Sequence, residues 1–384
     1  MGDDQHPRSE VIALRRVFLA AILCVTACAG HEPERTPHAP RPTPTVAPSS
    51  ATPATHPRFV VHVVDVGTGL AVLVRGADFA LVYDGGSNDD LALGDKNRFV
   101  AYLAAVAPDL ARLDHVILSH PHRDHVELLS DVVLRYKPRD VWDSGAVNDI
   151  CGYRRFLGAV ESTAASYHSG TTGPVDFKRS LCDEKLSPVV HLQRGTPLSE
   201  GVAVPLGEHA TMTFLHVDPA VHEGNYNENS LVTLLDLDGE RVLLMGDAEA
   251  GGREDPAKPP TKSSVEGYLL AHHAALLRAD VLVVGHHGSR TSSRKRFLDA
   301  VAPKISVISA GPMKYGTVTL PDADIVSELR AVSRVYRTDD DDAACATNPH
   351  KIGPDADGFP GGCSNVVITL HAGSASAEYT HSFD

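Results

Sequence analysis

No run of apolar side chains in this chain of 384 residues approaches the roughly 18 that a membrane-spanning helix needs, which excludes a polytopic membrane protein. Basic residues are in deficit, 35 Lys and Arg against 49 Asp and Glu, for a formal net charge of −14. Coating duplex nucleic acid takes a surplus of positive charge to neutralise phosphates, so stable duplex binding is not expected. No two of the six cysteines stand at Cys-x-x-Cys spacing, which argues against a thiolate zinc site. What remains, 42% hydrophobic and 22% charged, is the mix of a soluble globular chain, with length for one long domain or two short ones.

The first 57 residues read as an address and a spacer. Residues 1–16 are polar and end in Arg15-Arg16, and the apolar stretch Val17 to Val25 has the length of a signal-peptide core. Val25-Thr26-Ala27-Cys28 resembles a bacterial lipobox, with Val25 where Leu is commoner, so Cys28 is the expected lipidation site. Residues 1–27 would then be a lipoprotein signal peptide. From 28 to 57, Pro, Thr and Ala dominate and no apolar period can form a core, which predicts an extended tether. The expected location is outside the cytoplasm, anchored to a membrane through lipid and facing periplasm or cell surface. An exported chain with four further cysteines is expected to oxidise them. Sequence proximity favours the pairs Cys151–Cys182 and Cys345–Cys363.

From Arg58 onward strand and helix signals alternate. β-Branched runs at 59–66, 71–75 and 79–83 are followed by a helical pattern at 99–106, a short buried strand at 115–118 and a helix at 127–136. Residues 143–200 read as a helix near 154–165 followed by a Gly/Ser/Thr-rich loop holding Cys182. Strands return at 210–215, 231–237, 241–245, 281–284, 305–309 and 366–371, with helices at 265–277 and 323–332. Hairpins of strands with helices between the groups predict mixed α/β sheets covered by helices, not one doubly wound parallel sheet.

The chemistry concentrates in Ser119-His120-Pro121-His122-Arg123-Asp124-His125, directly after the strand 115–118 and before a helix. Imidazoles at 120 and 122 can converge on one divalent cation from a tight loop, while Asp124 and His125 can reach a second. Nitrogen-rich ligation with some carboxylate suits zinc first, with manganese or iron as alternatives. Two adjacent cations can share a hydroxide, lower its pKa and clamp an ester oxygen during attack. Farther on, Asp247 follows a hydrophobic strand in Met245-Gly246-Asp247-Ala248, His286 and His287 end another, and Arg290, Arg294, Lys295 and Arg296 form a basic cluster that could grip phosphate.

His-x-His-x-Asp-His is the signature of the metallo-β-lactamase superfamily of binuclear hydrolases. The segments HVVDVGTGLA (62–71), LVYDGG (81–86), NENSLVTLLDLDGERVLLMGDAE (227–249) and ADVLVVGHHGSRTSS (279–293) narrow the resemblance. They are similar to the extracytoplasmic hydrolase domain of ComEC-type DNA-uptake proteins and their stand-alone relatives, over about residues 59 to 371. The resemblance implies a four-layer αββα sandwich, here residues 58–384, with a metal site at the open edge between the sheets. It implies metal ligation by His120, His122, Asp124, His125 and a bridging Asp247, and two divalent cations. It places His286 or His287 beside the substrate, His286 being favoured, as proton donor or charge stabiliser, and Asn227, Asn229 and Ser230 as substrate-positioning groups.

Three departures stand out. Thr68 and Leu70 replace a Gln and an Asp of the family opening, Val126-Glu127 replaces a Gly pair, and Thr317 stands where relatives carry a His in Tyr-Gly-His. The last leaves the second cation dependent on an imidazole from His286 or His287, which weakens that site on this reading. The leading expectation is a hydrolase of phosphoesters, acting on a small phosphoester or single-stranded nucleic acid with metal-bound hydroxide as nucleophile and Asp124 and Asp247 orienting it. A non-catalytic binding lipoprotein and a lactonase- or lactamase-type hydrolase are the rival readings.

Overall fold

Strand alternation sorts the apolar side chains into three layers. Val72, Leu81 and Ile117 point to one face of their sheet, while their neighbours Leu73, Val82 and Val116 point to the other. In a second sheet Leu235, Val242 and Val281 share the first set's core, while Leu234, Leu243 and Leu282 face away. Two sheets that are apolar on both faces must be packed against each other and covered outside.

The computed structural model, which describes residues 58–178, 189–195, 197–340, 342–345, 361–371 and 373–380, has this arrangement. One sheet has ten strands, in the spatial order Ser374–Thr380, Asn365–His371, Phe59–Val63, Ala71–Arg75, Ala80–Gly85, His115–Leu118, Asp140–Asp143, Ser166–Ser169, Val189–Arg194 and Gly173–Lys178. The other has seven, in the order Arg334–Arg337, Ile305–Ile308, Val281–Val283, Glu240–Leu244, Val232–Leu237, Ala210–His216 and Ala203–Gly207. Helices Arg98–Val106, Leu129–Tyr136 and Cys151–Glu161 seal the first sheet with Phe99, Val132 and Phe156. Helices Val265–His272, Lys295–Val301 and Ala323–Val332 seal the second with Leu269, Phe297 and Leu329. Each such side chain, fully buried, contributes about 1.5–3 kcal/mol. The result is the αββα sandwich with mixed sheets.

The expected loop after residue 165 instead contains the strands Ser166–Ser169, Gly173–Lys178 and Val189–Arg194. Val175-Asp176-Phe177-Lys178 and Val190-His191-Leu192-Gln193 do alternate apolar with polar residues, but the Gly, Ser and Thr residues at 169–173 masked the runs. The helix expected over 127–136 runs Leu129–Tyr136 and is preceded by a separate short helix, Arg123–Val126; between them Leu128 N–H donates to the Gly85 carbonyl at 2.9 Å. Residues 1–57, with the signal peptide, tether and Cys28, and also Cys182, lie outside the described residues. Cys151 is disulfide-bonded.

Cys345 and Cys363 are joined, 18 residues apart in sequence. The bridge lies against buried Asp65, whose Oδ2 accepts the backbone N–H groups of Cys363 and Ser364 at 2.8 and 3.0 Å. Closing a loop of this length removes unfolded-state entropy worth about 3 kcal/mol. The double variant Cys345→Ser/Cys363→Ser should therefore lose about 3 kcal/mol in urea unfolding; a loss below about 0.5 kcal/mol would mean that the bridge merely decorates this edge.

Candidate metal centre

Several strands deliver their C-terminal ends to one edge of the sandwich. In the first sheet Ala80–Gly85 and His115–Leu118 run parallel, and in the second Glu240–Leu244, Val281–Val283 and Ile305–Ile308 do. The residues that follow are Ser119 to His125, Asp247, His286-His287 and Ser309. The ends of parallel strands are where open α/β layers bind ligands. Gly246 makes the approach feasible: it sits at φ +55°, and a Cβ there would fall 2.8 Å from the Ser119 side chain.

Two groups of donors form, both including Asp247. His120, His122 and Asp247 make the first; Asp124, His125, Asp247 and His287 make the second. In the first, His120 Nε2 lies 3.0 Å from His122 Nδ1 and 3.7 Å from Asp247 Oδ2. In the second, Asp247 Oδ1 is 3.1 Å from His125 Nε2 and 3.5 Å from His287 Nε2, which is itself 3.5 Å from Asp124 Oδ2. Ligands held at ~2.1 Å around a tetrahedral cation stand about 3.4 Å apart, so this spacing suits one.

The tautomers add a second argument. His287 Nδ1 lies 2.8 Å from the Ser309 carbonyl, which can only accept, so the ring proton sits on Nδ1. Nε2 then directs a lone pair at two carboxylates, a repulsive arrangement unless a proton or a cation intervenes. His125 is oriented likewise, Nδ1 donating to Asp84 Oδ2 at 2.8 Å. His120 has Ser119 Oγ at 3.0 Å from Nδ1. Such outer partners fix ring orientation and ligand basicity. His125 Nε2, His287 Nε2 and Asp247 Oδ1 are buried without a hydrogen-bond partner among the described residues. These residues fit a pair of divalent cations bound through nitrogen and oxygen.

The electrostatics of the metal-free chain agree. Burial lowers the pKa of His125, but the Asp247 and Asp84 carboxylates outweigh it and hold the imidazole well above its ordinary range. Burial raises Asp247, yet the charge of His125 beside it keeps it well below the carboxylate range. Burial, helped by the His125 charge, leaves His120 neutral, as a ligand must be. A cation entering the second group must displace the His125 proton. Zinc loading at pH 7 should therefore release about one proton per chain from this group, and apparent affinity should rise with pH. Calorimetry in buffers of different ionisation enthalpy would read this release; loading that is independent of pH would contradict it.

His287 joins the second group; His286, favoured as the residue beside the substrate, does not. The two residues have φ of 53° and 48° inside one tight turn, so ordinary strand alternation does not decide their directions. His287 places an imidazole in the second group, and Thr317 is exposed. His286 lines the cavity beside the ligands, its Nε2 3.9 Å from Asp247 Oδ2. Its Nδ1 is held by Thr291 Oγ1 at 2.8 Å and Glu249 Oε1 at 3.1 Å.

The expected Asn-x-Asn-Ser substrate segment divides. Asn227 lines the cavity. Asn229 is fully buried and donates to the Asp218 and Ala220 carbonyls, so it braces its own loop. Ser230 is buried too, and its Oγ accepts from Asp247 N at 2.9 Å, which positions the shared carboxylate instead of substrate. The basic cluster also disperses. Arg294 is buried and donates to the Gly252, Glu254 and Asp255 carbonyls, Arg290 pairs with Asp324, and Lys295 pairs with Asp299.

Functional groups missed in the sequence are Asp84, Ser119, Glu249, Thr291, Ser309 and Tyr315. Asp84 carried a signal, a buried-strand Asp just before Gly85-Gly86. Gly86 lets that turn meet the histidine loop, since a Cβ there would lie 2.5 Å from His125 N.

The fold and the paired donor groups define a metal-hydrolase type of centre in an αββα sandwich. The chain belongs to the metallo-beta-lactamase superfamily, whose family model matches residues 64–311, and members of that superfamily are typically metal-dependent hydrolases. Recombination protein 2 of Haemophilus influenzae is 27% identical over 262 residues, which cover 67% of this chain and 25% of that protein. Competence protein ComA of Neisseria gonorrhoeae is 28% identical over 257 residues, 65% of this chain and 27% of that one. ComE operon protein 3 of Bacillus subtilis is 32% identical over 123 residues, 32% of this chain and 13% of that one. These relatives match the ComEC-like branch, and this chain spans only about a quarter or less of their lengths. Among solved structures, the metallo-beta-lactamase fold protein YhfI of Bacillus subtilis aligns with a TM-score of 0.42 at 13% identity, covering 74% of this chain and 98% of that one.

Proposed function

We propose that this chain is a lipid-anchored, extracytoplasmic, metal-dependent hydrolase of a small phosphoester. The observation that carries the hydrolase reading is the pair of donor groups joined through Asp247. Bound cations supply Lewis acidity and a nucleophile at neutral pH. Asp124 and Asp247 orient the reacting groups, and His286, steadied by Glu249 and Thr291, presents Nε2 to protonate the leaving oxygen.

The phosphoester preference is supported by the cavity wall. A cavity of about 450 Å³ borders the donor groups, and Asn88, Asn148, Asn227 and Arg123 in its wall offer N–H donors to a polyoxyanion. Arg123 is exposed and has no ion pair among the described residues, so it is free to meet a negative charge. A long polynucleotide is less well supported, because most of the basic cluster that would grip it is occupied within the protein. Export and anchoring rest on the apolar stretch 17–25, Cys28 and the Pro-rich tether.

The test is hydrolysis of bis(p-nitrophenyl) phosphate against a chromogenic lactam after loading with zinc or manganese. Turnover of the first alone is expected, and turnover of the lactam alone would overturn the substrate class. Losing a charge-assisted hydrogen bond, Arg123→Ala should raise KM for the phosphodiester about tenfold with kcat nearly unchanged. An unaltered KM would remove Arg123 from the substrate site.

A further inference from the structure

Two of the family departures meet at one small hairpin. Strands Lys314–Tyr315 and Val318–Thr319 are joined by Gly316-Thr317, which puts Thr317 at an exposed tip. The segment leading in is pinned to the turn at 67–69. Met313 N–H donates to Thr68 Oγ1 at 3.0 Å, and Thr68 in turn donates to Asp89 Oδ2 at 2.7 Å. Gly311 lies so close that a Cβ there would sit 2.3 Å from Thr68 N. Thr68, the residue that replaces the family's Gln, thus helps set where the hairpin stands.

That position brings Tyr315 onto a metal ligand. Its hydroxyl donates to Asp124 Oδ2 at 2.5 Å and accepts from Asn88 Nδ2 at 3.2 Å. The assignment of the proton is forced, since an ionised carboxylate only accepts and an amide N–H only donates. The ring lies nearly parallel to that of His287, at an interplanar angle of 12°. One carboxylate oxygen of Asp124 is therefore tied down from outside the ligand set, which fixes how the group faces the second cation position.

We infer that Tyr315 is the positioning residue for the second cation, immobilising Asp124 with Thr68 and Asn88 as its supports. This rests on the binuclear reading above. Outer hydrogen bonds to metal ligands are typically worth 10–100-fold in affinity. In zinc titrations of the full chain against a chromogenic chelator, Tyr315→Phe should weaken the second cation by about 10–100-fold and leave the first within about threefold. Thr68→Val should move the second cation in the same direction, and Thr317→Ala should leave both cations as they were. Thermal melts of the apo proteins would separate a local effect from misfolding, Tyr315→Phe being expected to melt with the unsubstituted chain. Equal affinity for the second cation in Tyr315→Phe would overturn the inference, as would a loss in Thr317→Ala as large as in Tyr315→Phe. Fewer than two cations in the unsubstituted protein would instead overturn the binuclear reading beneath it, and the inference with it.

Discussion

Asp247→Ala is expected to strip the protein of both cations and to lower phosphodiester hydrolysis by more than about 1,000-fold, ~4 kcal/mol of lost transition-state stabilisation. Among the described residues no other side chain belongs to both donor groups: Oδ2 faces His120 and Oδ1 faces His125 and His287. Its removal takes one oxygen from each group and the negative charge that each imidazole set faces. The backbone need not follow, because the bond from residue 247 N–H to Ser230 Oγ does not involve the carboxylate. Asp247→Asn should be nearly as damaging, since the amide keeps the shape and loses the charge. Metal content and turnover, measured on the same samples, check this. A variant that keeps two cations and half its activity would refute the bridging role.

The second large effect separates two adjacent histidines. His287→Ala should cost one equivalent of metal, because its Nε2 is one of the donors of the second group. His286→Ala should keep both equivalents and lose about 10²–10⁴-fold in kcat, the range for a positioned proton donor, with KM little changed. Elemental analysis and steady-state kinetics on the two variants give metal content, kcat and KM for each, and only one pattern fits. If His286→Ala loses metal and His287→Ala does not, the roles given to the two rings are exchanged.

How much of this was readable beforehand differs from residue to residue, for physical reasons. His120, His122, Asp124 and His125 lie within six consecutive positions, at a junction whose strand signal is strong, so their convergence follows from local chain geometry. Asp247 was readable because it closes an unambiguous apolar strand. The choice between His286 and His287 was not, because left-handed backbone at both residues suspends the alternation that strand reasoning relies on. Tyr315 escaped for another reason. It lies on a strand of two residues, and its importance depends on Thr68 and Asn88, more than 200 positions away in sequence. The sandwich itself was legible because strands buried on both faces are written as short continuous apolar runs, whereas Ser374–Thr380, an edge strand that alternates small or polar residues with Ala375, Ala377 and Tyr379, carries no such run.

The central claim is that this member of the superfamily holds two cations despite Thr317. The direct measurement is elemental analysis of the purified protein after exposure to zinc or manganese and removal of the excess. The account predicts close to two equivalents per chain. One equivalent would contradict the second donor group, and none would contradict the metal centre and with it the hydrolase reading.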